Sequence, residues 1–310
     1  MTYSGNSRLF HEYMMEWIET FKFGAVRGIT YKKYIRSQKV LAEIAPDLRI
    51  DEIDRRSYQT IINEYAASHE KQTVKDFNNH LKAVILDAVD EGLIKTDPTR
   101  KVIIKGKAPS NAKKPKYLSQ HELKALLSAL DLTGDACWDH FIYLLAKTGL
   151  RFSEALAITP GSFSFDNHRL RIRNAWDYKS PIGDFEETKN YSSKRTISID
   201  NHTNKLFAKI CKKLPEDKPI FVDGRVHNST VNKHLNRLCK KVGISMISLH
   251  GLRHTHASLL LYAGVSLASL ARRLGHASTT TTQRNYLHII QELESLDNEK
   301  IIKHLSLLDR

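Results

Sequence analysis

The amino-acid sequence predicts an α+β protein that is mainly α-helical and contains a small antiparallel β-sheet. Apolar residues recur every three or four positions in the first hundred residues and again after about residue 200, which is the period of an amphipathic helix. Between these regions, residues 163–176 and 194–199 read as strands. Apolar and polar side chains alternate there, as in Leu170-Arg171-Ile172-Arg173, which is the period of a half-buried strand.

Four short helices are predicted in the first hundred residues. Apolar stripes run through residues 34–44, 58–65 and 74–85, the last after a candidate N-cap at Thr73. Asp97-Pro98 then ends the helical region. Short helices with polar outer faces pack as a bundle, so we expect residues 1–108 to form a helical domain. The clearest stripe consists of Phe10, Tyr13, Met14, Trp17, Ile18 and Phe21.

A basic segment follows the predicted bundle. Residues 100–116 contain seven Lys or Arg and no Asp or Glu, and Gly106, Pro109 and Pro115 interrupt regular structure. We therefore expect residues 109–116 to form an interdomain linker. This linker is either simply solvated or lies along a phosphate backbone, where each cation would release counterions.

The second predicted domain, residues 117–310, opens with the capping box Ser119-Gln120-His121-Glu122. A long apolar helix over residues 138–146 stops near Gly149, a candidate C-cap. After the strands, helices are predicted at about 203–214, 229–242, 250–263 and 266–274. A further helix carries Tyr286, and the C-terminal tail over 287–310 is compatible with one more.

The charge balance indicates the kind of partner. The chain has 48 Lys and Arg against 34 Asp and Glu, a formal net charge of +14. Such an excess favours a polyanion, either nucleic acid or an anionic membrane surface. No apolar run approaches the ~20 residues that a membrane helix needs, and the N-terminal residues lack the apolar core of a secretion signal. We therefore expect a cytoplasmic protein without a membrane partner.

Cysteine usage argues against a disulfide framework and against a zinc finger. Cys137, Cys211 and Cys239 are odd in number and show no CxxC spacing. We expect all three to be thiols buried in helices.

Four chemically active side chains lie close together near the C-terminus. His250-Gly251-Leu252-Arg253 is followed by Leu274-Gly275-His276 and by Tyr286, all within 37 residues. His250 and Arg253 are three residues apart on a predicted helix and therefore share one face. A guanidinium binds two phosphate oxygens at once, and a phenol can attack phosphorus when a base or cations assist it. The combination suits attack on a phosphodiester.

An upstream element, Thr148-Gly149-Leu150-Arg151-Phe152-Ser153-Glu154, adds a second guanidinium. Together the two elements resemble those of the tyrosine recombinase family, the phage-integrase type of site-specific DNA recombinase. Residues 148–156 resemble the first family box, and residues 250–255 resemble the second. The resemblance covers nearly the whole chain. It implies a helical core-site DNA-binding domain and a catalytic domain that together clamp the duplex from opposite faces.

The resemblance also implies the roles of individual residues. Tyr286 is the expected nucleophile, which forms a 3′-phosphotyrosyl bond and frees a 5′ hydroxyl. The expected stabilisers of the phosphorane and helpers of proton transfer are Arg151, Arg253, His276 and His250, with Glu154 as a supporting acid. The family's catalytic lysine lies on a β-hairpin between the boxes. Lys189, in Glu187-Thr188-Lys189-Asn190, is the best match and Lys194 the second. The covalent intermediate conserves bond energy, so no cofactor, ATP or metal is expected.

Single histidines and tyrosines in this region also allow other interpretations. His250, His254 and His256 could form a metal cluster, but no carboxylate or cysteine ligand accompanies them, so no metal site is predicted. His254 and His256 are expected to be structural instead. Tyr262, in Leu259-Leu260-Leu261-Tyr262, is expected to be a core residue rather than a nucleophile.

The resemblance implies double-stranded DNA attachment sites as substrate, a homotetramer on DNA, and an excisionase or a host DNA-bending protein as accessory partner. The favoured function is the integrase of a phage or mobile element. We expect no arm-binding module among residues 1–108, which keeps a Xer-like resolvase or a DNA invertase as the alternative. Two less favoured alternatives belong to other classes of protein. A type IB topoisomerase would relax any supercoiled plasmid, whereas a recombinase should need its own site. An inactive DNA-binding regulator would not need the complete set of catalytic residues.

Overall fold

The first of two compact units, Met1–Lys113, is built on the apolar stripes seen in the sequence. The computed structural model describes residues 8–108, 116–180, 182–188, 190–286 and 289. The α-helices of this unit bury those stripes in one shared core, whose members include Trp17, Tyr58 and Phe77. They are α1 (Phe10–Phe21), α2 (Gly28–Ile44), α3 (Arg55–Ser68) and α4 (Lys71–Asp90), with a 3-10 turn at Ile50–Glu52.

The start of α4 differs from the sequence expectation. The helix begins at Lys71, so Thr73 lies inside the first turn and Glu70 occupies the N-cap without a side-chain hydrogen bond. Glu70 forms a parallel bridge with Lys107, and the amide of Lys107 donates to the carbonyl of His69 at 2.8 Å. This pairing holds residue 70 extended and so determines where the helix begins.

The second unit, Lys114–Arg310, carries the small sheets and the remaining helices. Strands β1, β2 and β5 form a three-stranded antiparallel sheet in the order β1-β2-β5, and β3 and β4 form a separate hairpin. The strands are β1 (Phe163–Ser164), β2 (Arg169–Ile172), β3 (Asn174–Trp176), β4 (Phe185–Glu187) and β5 (Arg195–Ser198). In the pairing of β2 with β5, Leu170 lies opposite Ile197, and both side chains point into the core. The predicted α+β class is confirmed.

The helices of the second unit enclose that core. Helix α6 is buried on nearly every side, polar residues such as Asp139 and His140 included, and packs against α10. The helices are α5 (Gln120–Ser128), α6 (Trp138–Thr148), α7 (Phe152–Leu156), α8 (Asn201–Cys211), α9 (Asn228–Lys241), α10 (Leu249–Tyr262) and α11 (Leu267–Leu274), with 3-10 turns at Pro160–Ser162 and Tyr191–Ser193. Residues 279–286 are helical as well.

Two side chains expected inside the protein are exposed. Cys137 is the N-cap residue of α6 and lies outside the helix, whereas Cys211 and Cys239 are buried as expected. Tyr262 is the last residue of α10 and is 43% exposed, because the apolar run continues past the point where the core covers the helix. Within the described part of the chain, no helix is both long and apolar enough to cross a bilayer.

Candidate active site

Arg151 is presented by the tight turn between α6 and α7. Gly149 ends α6 in a left-handed conformation with φ of 68°, and a Cβ at this position would lie 2.7 Å from the His256 ring. Arg151 follows as the N-cap of α7. Its guanidinium donates to Glu154 at 2.5 Å and, through Nη2, to the carbonyl of Gly275 at 3.1 Å. The first box is therefore joined directly to the end of α11.

Glu154 is the buried anion of the site. It is 2% exposed, and its Oε2 accepts from Arg195 Nη2 and from the amide of Arg151, both at 3.0 Å. Burial alone would raise the pKa of Glu154, but the charges of Arg195 and Arg151 outweigh it and hold the pKa at about 2. Glu154 is thus a carboxylate that orients the guanidinium of Arg151.

Arg253 lies on α10 and is only 3% exposed. Its Nη1 donates to the carbonyl of Gly149 and its Nη2 to the carbonyl of Leu274, each at 2.7 Å. Burial, followed by repulsion from Arg151, lowers the pKa of Arg253 to about 9. The side chain is still a cation at neutral pH, and two backbone carbonyls fix its orientation.

His276 follows the left-handed Gly275, which ends α11 with φ of 69°. The ring contacts the Thr282 hydroxyl through Nδ1 at 2.7 Å. Burial and then the charges of Arg253 and Arg151 lower the pKa of His276 to about 4, so the ring is neutral at pH 7.

His250 lies in the first turn of α10, which Ser248 caps by accepting from the Gly251 amide at 3.1 Å. Its ring lies at the surface, but partial burial by neighbouring atoms and the charges of Arg253 and Arg151 lower the pKa of His250. His250 is therefore close enough to both arginines for their charges to lower its pKa.

Tyr286 is 2% exposed and packs in an apolar cluster with residues of α10 and α11, among them Leu261 and Leu274. Its hydroxyl lies 3.1 Å from Nδ1 of His254. Burial raises the pKa of Tyr286 to about 12, and Arg253 acts in the opposite direction. His254 therefore lies at the candidate nucleophile, whereas the sequence indicated only a structural role for it. The available signal was its i, i+4 spacing from His250.

Arg195 is a second residue that sequence reasoning missed. It is the first residue of β5, and its side chain is 6% exposed. It donates to Glu154 at 3.0 Å and to the carbonyls of Ser193 at 2.9 Å and Arg273 at 2.6 Å. Arg195 thus connects the acid of the first box to the loop before β5 and to the end of α11.

His256 is held in a structural position, as the sequence predicts. Its ring contacts the carbonyl of Ala146 through Nδ1 at 3.0 Å, and its Nε2 accepts from Nε of Arg273 at 2.9 Å. Burial, followed by the charge of Arg273, lowers the pKa of His256 to about 3. The ring ties α10 to α6 and α11.

Lys189, the preferred candidate for the catalytic lysine, lies outside the described residues. Lys194, the second candidate, is exposed, and its ammonium lies 3.5 Å from Oε1 of Glu187. It also lines an open groove of about 700 Å³ that reaches His276 and Arg195. In the described part of the chain, no group of three or more His, Cys, Asp or Glu residues is arranged to hold a metal ion.

Comparison with known proteins places this geometry in a family. Residues 116–292 match the model of the phage integrase family. The integrase of Staphylococcus phage L54a is 25% identical over 95% of this chain and 92% of its own length. Tyrosine recombinase XerC of Rickettsia prowazekii is 30% identical over 73% of this chain and 70% of its own length.

Solved structures show the same fold. The Tn1549 transposon integrase, in complex with a circular intermediate DNA, superposes with a TM-score of 0.74 at 20% identity, covering 94% of this chain and all of the other. The family match spans the residues that carry both arginines, both histidines and Tyr286. The chain belongs to the phage integrase family and is a tyrosine-type site-specific DNA recombinase.

Proposed function

We propose that the chain is the integrase of a phage or other mobile element, and that Tyr286 attacks the scissile phosphate of a DNA attachment site. The observation that carries the assignment is the convergence of separate segments on one place. Arg151 and Arg253 are both bound to carbonyls at the end of α11, next to His276. Tyr286 lies close enough for Arg253 to affect its pKa. A protein that only binds DNA has no need of this set.

In the proposed cleavage step, Tyr286 transfers its proton to water with the help of His250, the Oη–P bond forms and the P–O5′ bond breaks. Charge builds up on the nonbridging oxygens, where Arg151 and Arg253 supply two guanidinium forks in fixed orientations. His276 is neutral and adds a hydrogen bond to the same oxygens. His250, at the surface end of α10, assists the proton transfer. The products are a 3′-phosphotyrosyl bond and a free 5′ hydroxyl.

We assign protonation of the leaving 5′ oxygen to Lys189. Among the described residues, the β3–β4 hairpin ends at Glu187, and Arg195 donates to the carbonyl of Ser193 at 2.9 Å, so position 189 lies in the chain between these two points. An ammonium suits this task because it carries a proton that it can release to an alkoxide. A 5′ hydroxyl from the partner duplex then attacks the phosphotyrosyl bond, and neither ATP nor metal is consumed.

The substrate follows from this chemistry. Exchange of two duplexes requires four cleavages, and each protomer carries one Tyr286, so we propose a homotetramer on double-stranded DNA attachment sites. An excisionase or a host DNA-bending protein would set the direction. The near full-length similarity to the phage L54a integrase favours a mobile-element integrase over a Xer-like resolvase or an invertase.

The test is covalent trapping on a nicked suicide substrate that carries the candidate attachment site from the DNA flanking the gene. Wild type should give a covalent protein–DNA band on a denaturing gel without added metal. Tyr286→Phe should give none while its affinity for the site is nearly unchanged. Tyr262→Phe is the matched control, because it removes a hydroxyl from the exposed end of α10 and should leave the band intact. A band with Tyr286→Phe would overturn the assignment.

A further inference from the structure

We propose that His254 is a positioning residue for the nucleophile. Its Nδ1 accepts a hydrogen bond from the Tyr286 hydroxyl and so sets the orientation of the O–H bond and of the oxygen lone pairs. The inference rests on the proposed function, because it assumes that Tyr286 attacks phosphorus. The contact is direct, with 3.1 Å between Nδ1 and Oη. The rings are close as well, with centroids 5.7 Å apart in an edge-on arrangement.

The surroundings of Tyr286 explain why one hydrogen bond would control its direction. The phenol ring lies in an apolar cluster formed by side chains such as Ala257 and Leu270, which hold the ring but offer the hydroxyl no polar partner. A buried phenol hydroxyl needs such a partner, and His254 supplies it. Rotation of the hydroxyl about its C–O bond is then restricted by His254.

The helix places His254 where it can serve the site. His250 and His254 are four residues apart on α10, and their ring centroids are 4.8 Å apart. Arg253, the neighbouring residue, is buried with its guanidinium on the carbonyls of Gly149 and Leu274. One turn of helix therefore presents the phosphate-binding cation and the partner of the nucleophile together.

The charges that face His254 decide its role. On its own helix these are His250 and Arg253, from the segment before α5 it is Lys116, and from 279–286 it is the Tyr286 phenol. Burial, followed by this positive surrounding, lowers the pKa of His254 to about 4. The ring is therefore neutral near pH 7, and with its proton on Nε2 it offers the Nδ1 lone pair to the phenol.

The pKa values of His254 and Tyr286 distinguish a positioning role for His254 from general-base catalysis. Burial raises the pKa of Tyr286 to about 12 and lowers that of His254 to about 4, so the phenol holds its proton far more tightly than the imidazole does. His254 is therefore a poor proton store and a good hydrogen-bond acceptor. Its effect on the rate comes through the direction of the Tyr286 lone pair, and small errors in such alignment cost about 100-fold in rate.

Three substitutions test this geometry. His254→Asn keeps an acceptor oxygen at the position of Nδ1, His254→Gln moves the amide out to the position of Nε2, and His254→Leu removes the acceptor with little change in volume. We expect single-turnover cleavage of the nicked substrate to fall about 100-fold in the Leu and Gln variants and to recover to within about tenfold of wild type in the Asn variant. DNA affinity and melting temperature identify any variant that fails to fold.

A second substrate separates the nucleophile from the leaving group. A bridging 5′-phosphorothiolate has a thiolate leaving group that needs no acid, so it should rescue Lys189→Ala. It should not rescue His254→Leu, whose defect concerns attack. Cleavage by His254→Leu within about threefold of wild type, equal rates for Asn and Gln, or rescue by the thiolate would each overturn the proposal. A wild-type protein that forms no covalent band would instead overturn the proposed function, and this inference with it.

Discussion

The buried guanidinium of Arg253 donates to the backbone carbonyl of Gly149 at 2.7 Å, two residues before the arginine of the first box. The two candidate phosphate-binding arginines are therefore parts of one assembly. Arg253 fixes the turn that presents Arg151, and both reach the end of α11 through the carbonyls of Leu274 and Gly275. The loss of one such bond should displace more than one catalytic group.

Arg253→Lys should therefore cost more than a conservative change normally does. Lysine keeps the charge but lacks the planar fork, so it leaves the carbonyl of Gly149 or Leu274 without a donor. We expect single-turnover cleavage to fall at least about 100-fold, with a lower melting temperature. Arg272→Lys, on the exposed face of α11, is the control and should change neither. A near-normal cleavage rate for Arg253→Lys would show that the fork is unnecessary.

Gly275→Ala should damage the site through the backbone. The φ of 69° is unfavourable for alanine, and the added Cβ would lie 2.8 Å from Nη1 of Arg195 and 3.1 Å from the backbone of Ser192 and Ser193. Gly264→Ala has a similar φ of 82° but meets no described atom within 4 Å. We expect about 1–2 kcal/mol of destabilisation for Gly264→Ala, and a larger loss with slower cleavage for Gly275→Ala. Equal effects in urea unfolding and cleavage assays would contradict the packing argument.

Glu154→Gln tests the buried anion. The folded pKa of about 2 lies below the usual 4.5, so the charge stabilises the fold above pH 4.5, and this stabilisation is lost as pH falls through 2. At pH 7 the variant should be less stable by about 3 kcal/mol. The difference from wild type should shrink between pH 4.5 and pH 3, as measured by urea unfolding. Glu187→Gln, at an exposed pair with Lys194, should cost less than about 1 kcal/mol.

Local signals in the sequence correctly predicted where two helices end beside the site and which face of β2 is buried. The sequence predicts one helix end near Gly149 and another at about residue 274, and Gly149 and Gly275 both have the positive φ that a C-cap requires. Leu170 alternates with Arg171 along β2 because one face of the strand packs on the core and the other faces water. Such features depend on a few neighbouring residues, so a single sequence carries them.

Contacts between distant segments could not be predicted in the same way. Tyr286 follows His254 by 32 positions, and the segment between them includes the rest of α10 and all of α11. No periodicity in the sequence predicts that the 279–286 helix brings Tyr286 back to His254. Arg195 looks like an ordinary residue at the start of a strand until Glu154 is placed beside it. In both pairs the decisive information is tertiary packing. The roles assigned to the site residues stay predictions until they are tested by substitution.

Acid should weaken the second unit well above the pH at which carboxylates titrate. The pKa values of His254 and His276 are lowered to about 4 and that of His256 to about 3, against 6.5 for a free imidazole. Between pH 6.5 and pH 4 the unfolded chain therefore binds as many as three more protons than the folded chain at these sites, so stability falls as pH falls.

Amide hydrogen exchange, corrected for intrinsic rates, should show protection of α10 decreasing from pH 7 to pH 5. It should decrease less in α3, whose unit has, among its described residues, one histidine with a lowered pKa, His80. Constant protection in α10 would mean that these rings titrate normally.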